Sequence, residues 1–320
     1  MANLILRVNG VLPAFMQEMG HYHKRAEELA QKAWPLVNTS CSLFIENGGH
    51  PLFHLLVDIG SGVVESLLKY EYTKRLKIPG YKLRPPDCLL FTHSHPDHCV
   101  ELYILLEGLM RRRPQAQYKN WKLPLIGTPR CLDTLIERFF WLKPHLEPKA
   151  VDFDQSLEIP IKGVGNISLT AIEVCHAEHA PGAAIYLLKC NGKKILFGWD
   201  FLSIKGNANS LLAGADIAFL DGNTWNPHPE TGHISITEGL ELVRLWQPRH
   251  TFFIHYSGYE DQEDEDKGLP GPMTTAELET RIAEVTSHWD WPPHRIQMAR
   301  PGMEIHLKEN QGPEVFYAEL

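Results

Sequence analysis

Thr92-His93-Ser94-His95-Pro96-Asp97-His98 places three imidazoles and a carboxylate within six consecutive residues. It follows the apolar run Cys88-Leu89-Leu90-Phe91, bounded upstream by Pro85-Pro86, which reads as a short buried strand. A strand that ends in a tight polar turn directs several side chains into one small volume. Neutral imidazole and carboxylate are the ligands that zinc and its neighbours in the first transition row prefer. The turn is a candidate metal-binding element, and its partners should lie at other strand ends.

Three such ends follow downstream. Ile195-Leu196-Phe197-Gly198-Trp199-Asp200 is an apolar strand closed by a carboxylate, and Thr251-Phe252-Phe253-Ile254-His255 repeats the pattern with an imidazole. Val174-Cys175-His176-Ala177-Glu178-His179 offers two histidines ahead of a strand at 183–190. His176 would continue directly from its strand, whereas His179 sits a short loop before Gly182. Two metals need about seven or eight protein ligands with a position left for water, and the turn supplies four.

Outward from these segments the chain alternates strands and helices. Residues 41–47 and 52–59 read as a strand pair joined by Asn47-Gly48-Gly49, with Asp58 near its end. Helical apolar spacing marks 61–77, 98–111, 130–142, 236–246 and 275–288, and further strands fall near 124–127, 167–175, 216–221 and 303–308. The pattern favours a sandwich of two mixed sheets with helices outside. No repeat or low-complexity linker separates the halves, so 1–320 reads as a single domain with an insertion at 11–38 that covers the site. Residues 2–8 read as a strand, not a signal peptide, and no apolar run approaches the ~20 residues of a membrane span. A cytoplasmic protein without a membrane partner is expected.

Apolar residues make up 43% of the 320 and charged residues 22%, the balance of a globular protein. The net charge of −8 weighs against long nucleic acids, whose binding rests on phosphate neutralisation. Arg111-Arg112-Arg113, with Lys119 and Lys122, is the local exception, and Glu260 to Asp266 reads as a solvated acidic loop. The six cysteines are scattered and read as buried reduced thiols; Cys99, next to His98, should point into a helix core and is given no ligand role.

The ordered motifs from Asp58 to His255, centred on His93-x-His95-x-Asp97-His98, resemble the metallo-β-lactamase superfamily. The resemblance implies an α/β fold, the αββα sandwich, with a two-metal site at one edge of the sheets. It implies that His93, His95 and a middle histidine hold one metal, that Asp97, His98 and His255 hold the other, and that Asp200 bridges. His179 matches the family spacing of the middle ligand better, with His176 as the alternative. Asp58 resembles a family aspartate that hydrogen-bonds into the ligand turn. Zinc suits this ligand set, and manganese or iron also fit.

Two metals close together acidify a shared water and neutralise charge on the attacked group, so hydrolysis by a metal-bridging hydroxide is the default chemistry. Gly232-His233-Ile234-Ser235, with Asp221 upstream, resembles the acid–histidine pair of the tRNase Z and phosphonate-pathway cyclic phosphodiesterase branches. His233 would then be the general acid and Asp221 its orienter. The branch's His-Glu-Ala-Thr reads here Asp221-Gly222-Asn223-Thr224, so a shorter acid does the orienting. His228 is a weaker substitute in a Pro-flanked loop. The expected function is a binuclear phosphodiesterase of small or cyclic phosphodiesters. The alternatives are a lactonase or thioesterase, and a tRNA 3′-processing endonuclease, for which no Gly- and Lys-rich arm is seen. A homodimer is compatible with the sequence.

Overall fold

The computed structural model describes residues 3–13, 24–78, 85–111, 122–291, 295–308 and 311–317. The first half builds one sheet from β1 (Asn3–Gly10), β2 (Ser40–Asn47), β3 (His50–Val57), β4 (Cys88–Leu90), β5 (Leu123–Gly127) and β6 (Leu146–Ala150). β1 to β3 pair antiparallel, and β3 to β6 pair parallel. The β2–β3 hairpin turns through Gly48 and Gly49 at φ +58° and +80°, two successive positive values that glycine takes without a Cβ penalty. Interleaved are α1 (Lys24–Gln31), α2 (Val63–Tyr70), α3 (Pro96–Cys99), α4 (Leu102–Arg111) and α5 (Pro129–Arg138).

The second half builds another sheet from β7 (Ser156–Ile161), β8 (Gly165–Cys175), β9 (Ala184–Cys190), β10 (Lys193–Gly198), β11 (Ser203–Ile204), β12 (Ile217–Asp221), β13 (His250–Ile254) and β14 (Ile296–Met298). Its helices are α6 (Asn209–Leu212), α7 (Ile236–Trp246), α8 (Asp261–Glu265) and α9 (Thr275–Thr286). β10, β12, β13 and β14 run parallel. β15 (Met303–Leu307) and β16 (Glu314–Tyr317) then return to the first sheet beside β1.

Period-two alternation explains the layering. On β3, Leu55 and Val57 face the second sheet while Leu56 faces the helical layer of α2, α4 and α5. On β10, Ile195 and Phe197 face the first sheet while Leu196 faces the layer that contains α7 and α9. Each fully buried Leu, Ile or Phe contributes about 2 kcal/mol of transfer free energy, so three stacked apolar layers hold the sandwich. The expected αββα architecture is the observed one. Two helix starts bear on the site. Thr128 caps α5 ahead of Pro129, and Ser235 caps α7 in a reciprocal capping box with Glu238.

The structure departs from the sequence reading in several places. The helix expected at 98–111 is split into α3 and α4, and the one expected at 130–142 ends at Arg138 and continues as a 3-10 segment, Phe140–His145. The acidic run is not a solvated loop: it forms α8, with Asp261 and Asp264 buried. Residues 14–23 of the expected insertion, and Arg112, Arg113 and Lys119 of the basic cluster, lie outside the described residues. The described part of the insertion docks α1 onto the start of α9, where the Thr275 N–H donates to the Glu28 carboxylate at 2.8 Å. Five of the six free cysteines are buried and Cys175 is half-buried. Among the described residues no helix is long and apolar enough to cross a membrane.

Candidate metal centre

The site gathers at the carboxyl ends of strands from both sheets. Parallel pairing brings the ends of β3 and β4 to one edge, and those of β10, β12 and β13 to one edge. β8, antiparallel to β9 as β9 is to β10, ends at that edge too. Asp58 follows β3, the His93–His98 turn follows β4, His176 follows β8, Asp221 closes β12 and His255 follows β13. Asp200 lies just past the end of β10. Asp58, Asp200 and His255 adopt φ of +56°, +60° and +69°, the left-handed region that costs a non-glycine residue on the order of 1 kcal/mol or more. Three residues held there at one sheet edge mark a place where the fold aims side chains at a cost to itself.

Asp58 organises the turn. Its Oδ1 accepts the Thr92 N–H at 2.9 Å, and its Oδ2 accepts from Thr92 Oγ1 at 2.6 Å and stands 2.8 Å from His98 Nδ1. With Nδ1 engaged, His98 turns Nε2 toward Asp97 Oδ2 at 3.2 Å and Asp200 Oδ2 at 3.3 Å. Gly60 is required beside it: a Cβ there would stand 1.6 Å from the Asp97 carbonyl oxygen. The Arg138 guanidinium donates to the Ser94 carbonyl and clasps the turn from α5.

Three groups of donor atoms result. His93, His95 and His176 converge, with His176 Nε2 3.2 Å from His95 Nδ1 and His176 Nδ1 3.0 Å from the Gly232 carbonyl. Asp97, His98, Asp200 and His255 form a second, fully buried group, in which His255 Nε2 stands 3.1 Å from Asp200 Oδ1. Asp200 also groups with His176 and His233, so it lies between the two clusters. His176 is the histidine that the structure groups with His93 and His95, whereas the sequence reading preferred His179. β8 runs to Cys175 and delivers His176 straight from the strand, whereas His179 falls in the following turn, exposed, its ring 4.6 Å from that of His95.

The His233–Asp221 pair flanks these groups. His233 Nδ1 lies 2.9 Å from Asp221 Oδ2 and 3.8 Å from Asp200 Oδ1, and its ring stacks on His255 at 5.0 Å. The Phe201 N–H donates to Asp221 Oδ2 at 3.1 Å and fixes that carboxylate. The shorter acid therefore reaches the histidine, because Asp221 ends a strand directly beneath it. His228 is engaged elsewhere, 2.9 Å from Asp264 and 3.1 Å from Glu230. Cys99 is buried, with Sγ 3.6 Å from the Ser94 carbonyl and the Arg138 guanidinium 3.2 Å away.

Electrostatics separate the groups. Burial, reinforced by neighbouring imidazoles, pushes His93 well below the usual histidine range and His95 down to about 4; burial also lowers His176. These three present neutral nitrogens to a cation. Burial opposes a charge on His98, but Asp200, Asp97 and Asp58 together hold it well above its ordinary value. Burial opposes ionisation of Asp97 and Asp200 as well, yet the adjacent imidazoles, His98 for Asp97 and His255 then His98 for Asp200, hold both well below the carboxylate range. Burial likewise opposes charge on His233, and the Asp221 charge and hydrogen bond outweigh it, raising that imidazole to about 9.

The residues present fit divalent cations. His93 Nε2, His95 Nε2, His98 Nε2, both ring nitrogens of His255 and Asp200 Oδ2 are buried without a hydrogen-bond partner. An orphaned buried polar atom costs about 1–3 kcal/mol, and cations that take one lone pair from each of these five side chains account for all but the second His255 nitrogen, which keeps its proton. Two roles went unnoticed in the sequence. Gly60 gives no sign of a close approach that only folding creates, and Trp199 reads as a core aromatic at a strand end, although its Nε1 donates to Asp58 at 2.8 Å.

Comparison with known proteins agrees with this architecture. The family model of the β-lactamase superfamily domain matches residues 36–256, a span that contains every donor named above. No curated protein matches the sequence. Among solved structures, a diphosphatase from the PhnP family is similar at 19% identity and TM-score 0.62, over 96% of this chain and 98% of that one. The metallo-β-lactamase fold protein YhfI from Bacillus subtilis aligns at 16% identity and TM-score 0.65, over 95% and 100%. Human tRNase Z, short form, aligns at 14% identity and TM-score 0.55, over 80% and 94%. At such identities the likeness concerns the fold. With the family model spanning most of its length, the chain belongs to the β-lactamase superfamily, in its metal-dependent hydrolase fold.

Proposed function

We propose that the protein is a binuclear metal-dependent phosphodiesterase acting on small or cyclic phosphodiesters. His93, His95 and His176 would hold one cation, Asp97, His98 and His255 the other, with Asp200 shared. A nitrogen-rich set without thiolate suits zinc, and manganese or iron fit the same ligands. When bound, such cations supply Lewis acidity: they acidify water and neutralise charge on a phosphoryl group.

The chain's own contribution lies in the placement of protons. Neutral His93, His95 and His176 add no charge, while Asp97 and Asp200 remain ionised beside them. His233 carries a proton at neutral pH, since its pKa is raised to about 9. Asp221 engages Nδ1, so the Nε2 proton is the one available to a leaving alkoxide, and Asp221 stabilises the imidazolium until that transfer. The proton passes from Nε2 to the leaving oxygen as the P–O bond breaks, and the neutral imidazole is reprotonated from solvent. The observation that carries this reading is the His233–Asp221 pair, Nδ1 to Oδ2 2.9 Å, standing 3.8 Å from Asp200. A thioester hydrolase, whose thiolate leaves without a proton, has no comparable need for the dyad. The net charge of −8 favours a small substrate over a long polyanion. The structural likeness to a diphosphatase and a tRNase Z is in keeping with phosphoester chemistry.

The test uses leaving-group dependence. The metal-loaded protein is assayed on bis-p-nitrophenyl phosphate, a methyl p-nitrophenyl diester, 2′,3′-cyclic nucleotides, lactones and a tRNA precursor, with chelator controls. Phosphodiester turnover in which His233→Ala is slowed far more on cyclic nucleotides than on p-nitrophenyl esters is expected, because p-nitrophenolate leaves without a proton. Turnover of lactones alone, or equal loss on all diesters, would overturn the proposal.

A further inference from the structure

Trp199 is the residue immediately before Asp200, fully buried between the sheets, and it packs edge-on against Phe197 at 5.7 Å. Its neighbours on β10 are ordinary core residues, but its indole does something they do not. Nε1 donates at 2.8 Å to Asp58 Oδ2, a residue of the opposite sheet 141 positions away in sequence. The same oxygen accepts from Thr92 Oγ1 at 2.6 Å and stands 2.8 Å from His98 Nδ1. Oδ2 thus gathers three partners, one of them the imidazole whose Nε2 faces Asp97 and Asp200.

The contacts close a ring: Trp199 to Asp58, Asp58 to His98, His98 to Asp200, and Asp200 back to Trp199 through the backbone. Both Asp58 and Asp200 sit at positive φ, so neither could hold its aim on backbone preference alone. An indole N–H buried in an apolar layer has no alternative partner, and an unmade bond there costs about 1–3 kcal/mol. That penalty ties the Asp200 strand end to the carboxylate that orients His98.

We propose that Trp199 is a positioning residue for one half of the site. It sets the Asp97–His98–Asp200–His255 group directly through Asp58, and reaches the His93–His95–His176 group only at one remove, through Thr92 Oγ1, which stands 3.1 Å from His93 Nδ1. The inference rests on the two-cation reading above. Its consequence is an asymmetry: loss of the indole N–H should weaken the cation step at the Asp97–His98–Asp200–His255 group more than the other. Outer hydrogen-bond partners of metal ligands are typically worth 10–100-fold in affinity, and a change in that range is expected for that step, with a smaller one at the other.

Stepwise zinc affinities are measured on the full chain by chelator competition, together with bound-metal stoichiometry and melting of the metal-free protein. The variants are Trp199→Phe and a chain with benzothienylalanine at 199, which keeps the bicyclic shape but carries sulfur in place of N–H. Phe197→Leu serves as a packing control that removes apolar volume without touching Asp58. Greater weakening of one step than of the other in both 199 variants, with both steps intact in Phe197→Leu, supports the inference. Should Trp199→Phe fold poorly, the isosteric chain decides. Unchanged affinities at both steps, or parallel weakening of both in all variants, overturns it. A wild-type chain that takes up fewer than two cations overturns the functional reading and this inference together.

Discussion

Two clusters of histidine and aspartate in the molecule invite comparison, and only one of the two has the character of a metal centre. His228, Asp261 and Asp264 converge as closely as the donors of the Asp97–His98–Asp200–His255 group do. In the first cluster the demands are met from within. Asp261 accepts the Trp225 N–H at 2.7 Å, the Asn226 N–H at 3.2 Å and the Tyr256 hydroxyl at 3.1 Å, while Asp264 accepts from Asn226 Nδ2 at 2.8 Å. In the second, His98 Nε2, both nitrogens of His255 and Asp200 Oδ2 make no hydrogen bond, and the imidazoles and carboxylates only face one another across 3.1–3.3 Å. Similar residue types at equal proximity thus lead to opposite roles. A satisfied cluster locks a loop, and an unsatisfied one is built for something that arrives later.

Substitutions should separate the two roles. The largest effect is expected from Asp200→Ala, which should abolish turnover and remove at least one bound cation in elemental analysis; full activity would show that Asp200 does not join the two groups. His233→Ala should cost about 10²–10⁴-fold in kcat on diesters with poor leaving groups while cation stoichiometry stays unchanged. Asp261→Ala should do the reverse: bound metal retained, but chemical denaturation showing a loss of about 3 kcal/mol as three donors lose a buried acceptor. Loss of cations in Asp261→Ala, with stability unaltered, would erase the contrast.

The smallest effect concerns pH. His228 is desolvated, yet its hydrogen bonds to Asp264 and Glu230 raise it above the ordinary value, and Asp264 is held below its own despite desolvation, first through its bond to His228. A raised histidine contributes fully below its unfolded pKa near 6.5 and loses that contribution as pH rises through the higher folded value. A lowered aspartate contributes above its unfolded pKa near 4 and loses that contribution as pH falls through the lower folded value. The pair should therefore contribute most between about pH 4 and 6.5. Denaturation midpoints of His228→Gln against wild type across pH 4 to 9 check this, and an identical pH dependence in the two would refute it.

How much of this was legible depends on which layer carried the signal. β4, β10 and β13 announce themselves as apolar runs capped by a ligand residue, so Asp97, Asp200 and His255 could be read directly. β6 reads Leu-Glu-Pro-Lys-Ala and leaves all but Leu146 exposed, so it carries no alternation to detect. α8 has no apolar face, because what it buries is carboxylate. The choice between His176 and His179 turned on how far β8 extends, and its last residue is fixed by pairing with Ser203, which lies far along the chain. Contacts of that kind have no local signature.

The supply of donors from both sheets has a further consequence. The His93–His98 turn belongs to the amino-terminal half, while His176, Asp200 and His255 belong to the carboxy-terminal half. Neither half can offer a complete coordination set by itself. Cation uptake is therefore a property of the closed sandwich, and it should act as a clamp across the seam. A chain emerging from the ribosome would stay indifferent to metal until nearly all of the second sheet had been made.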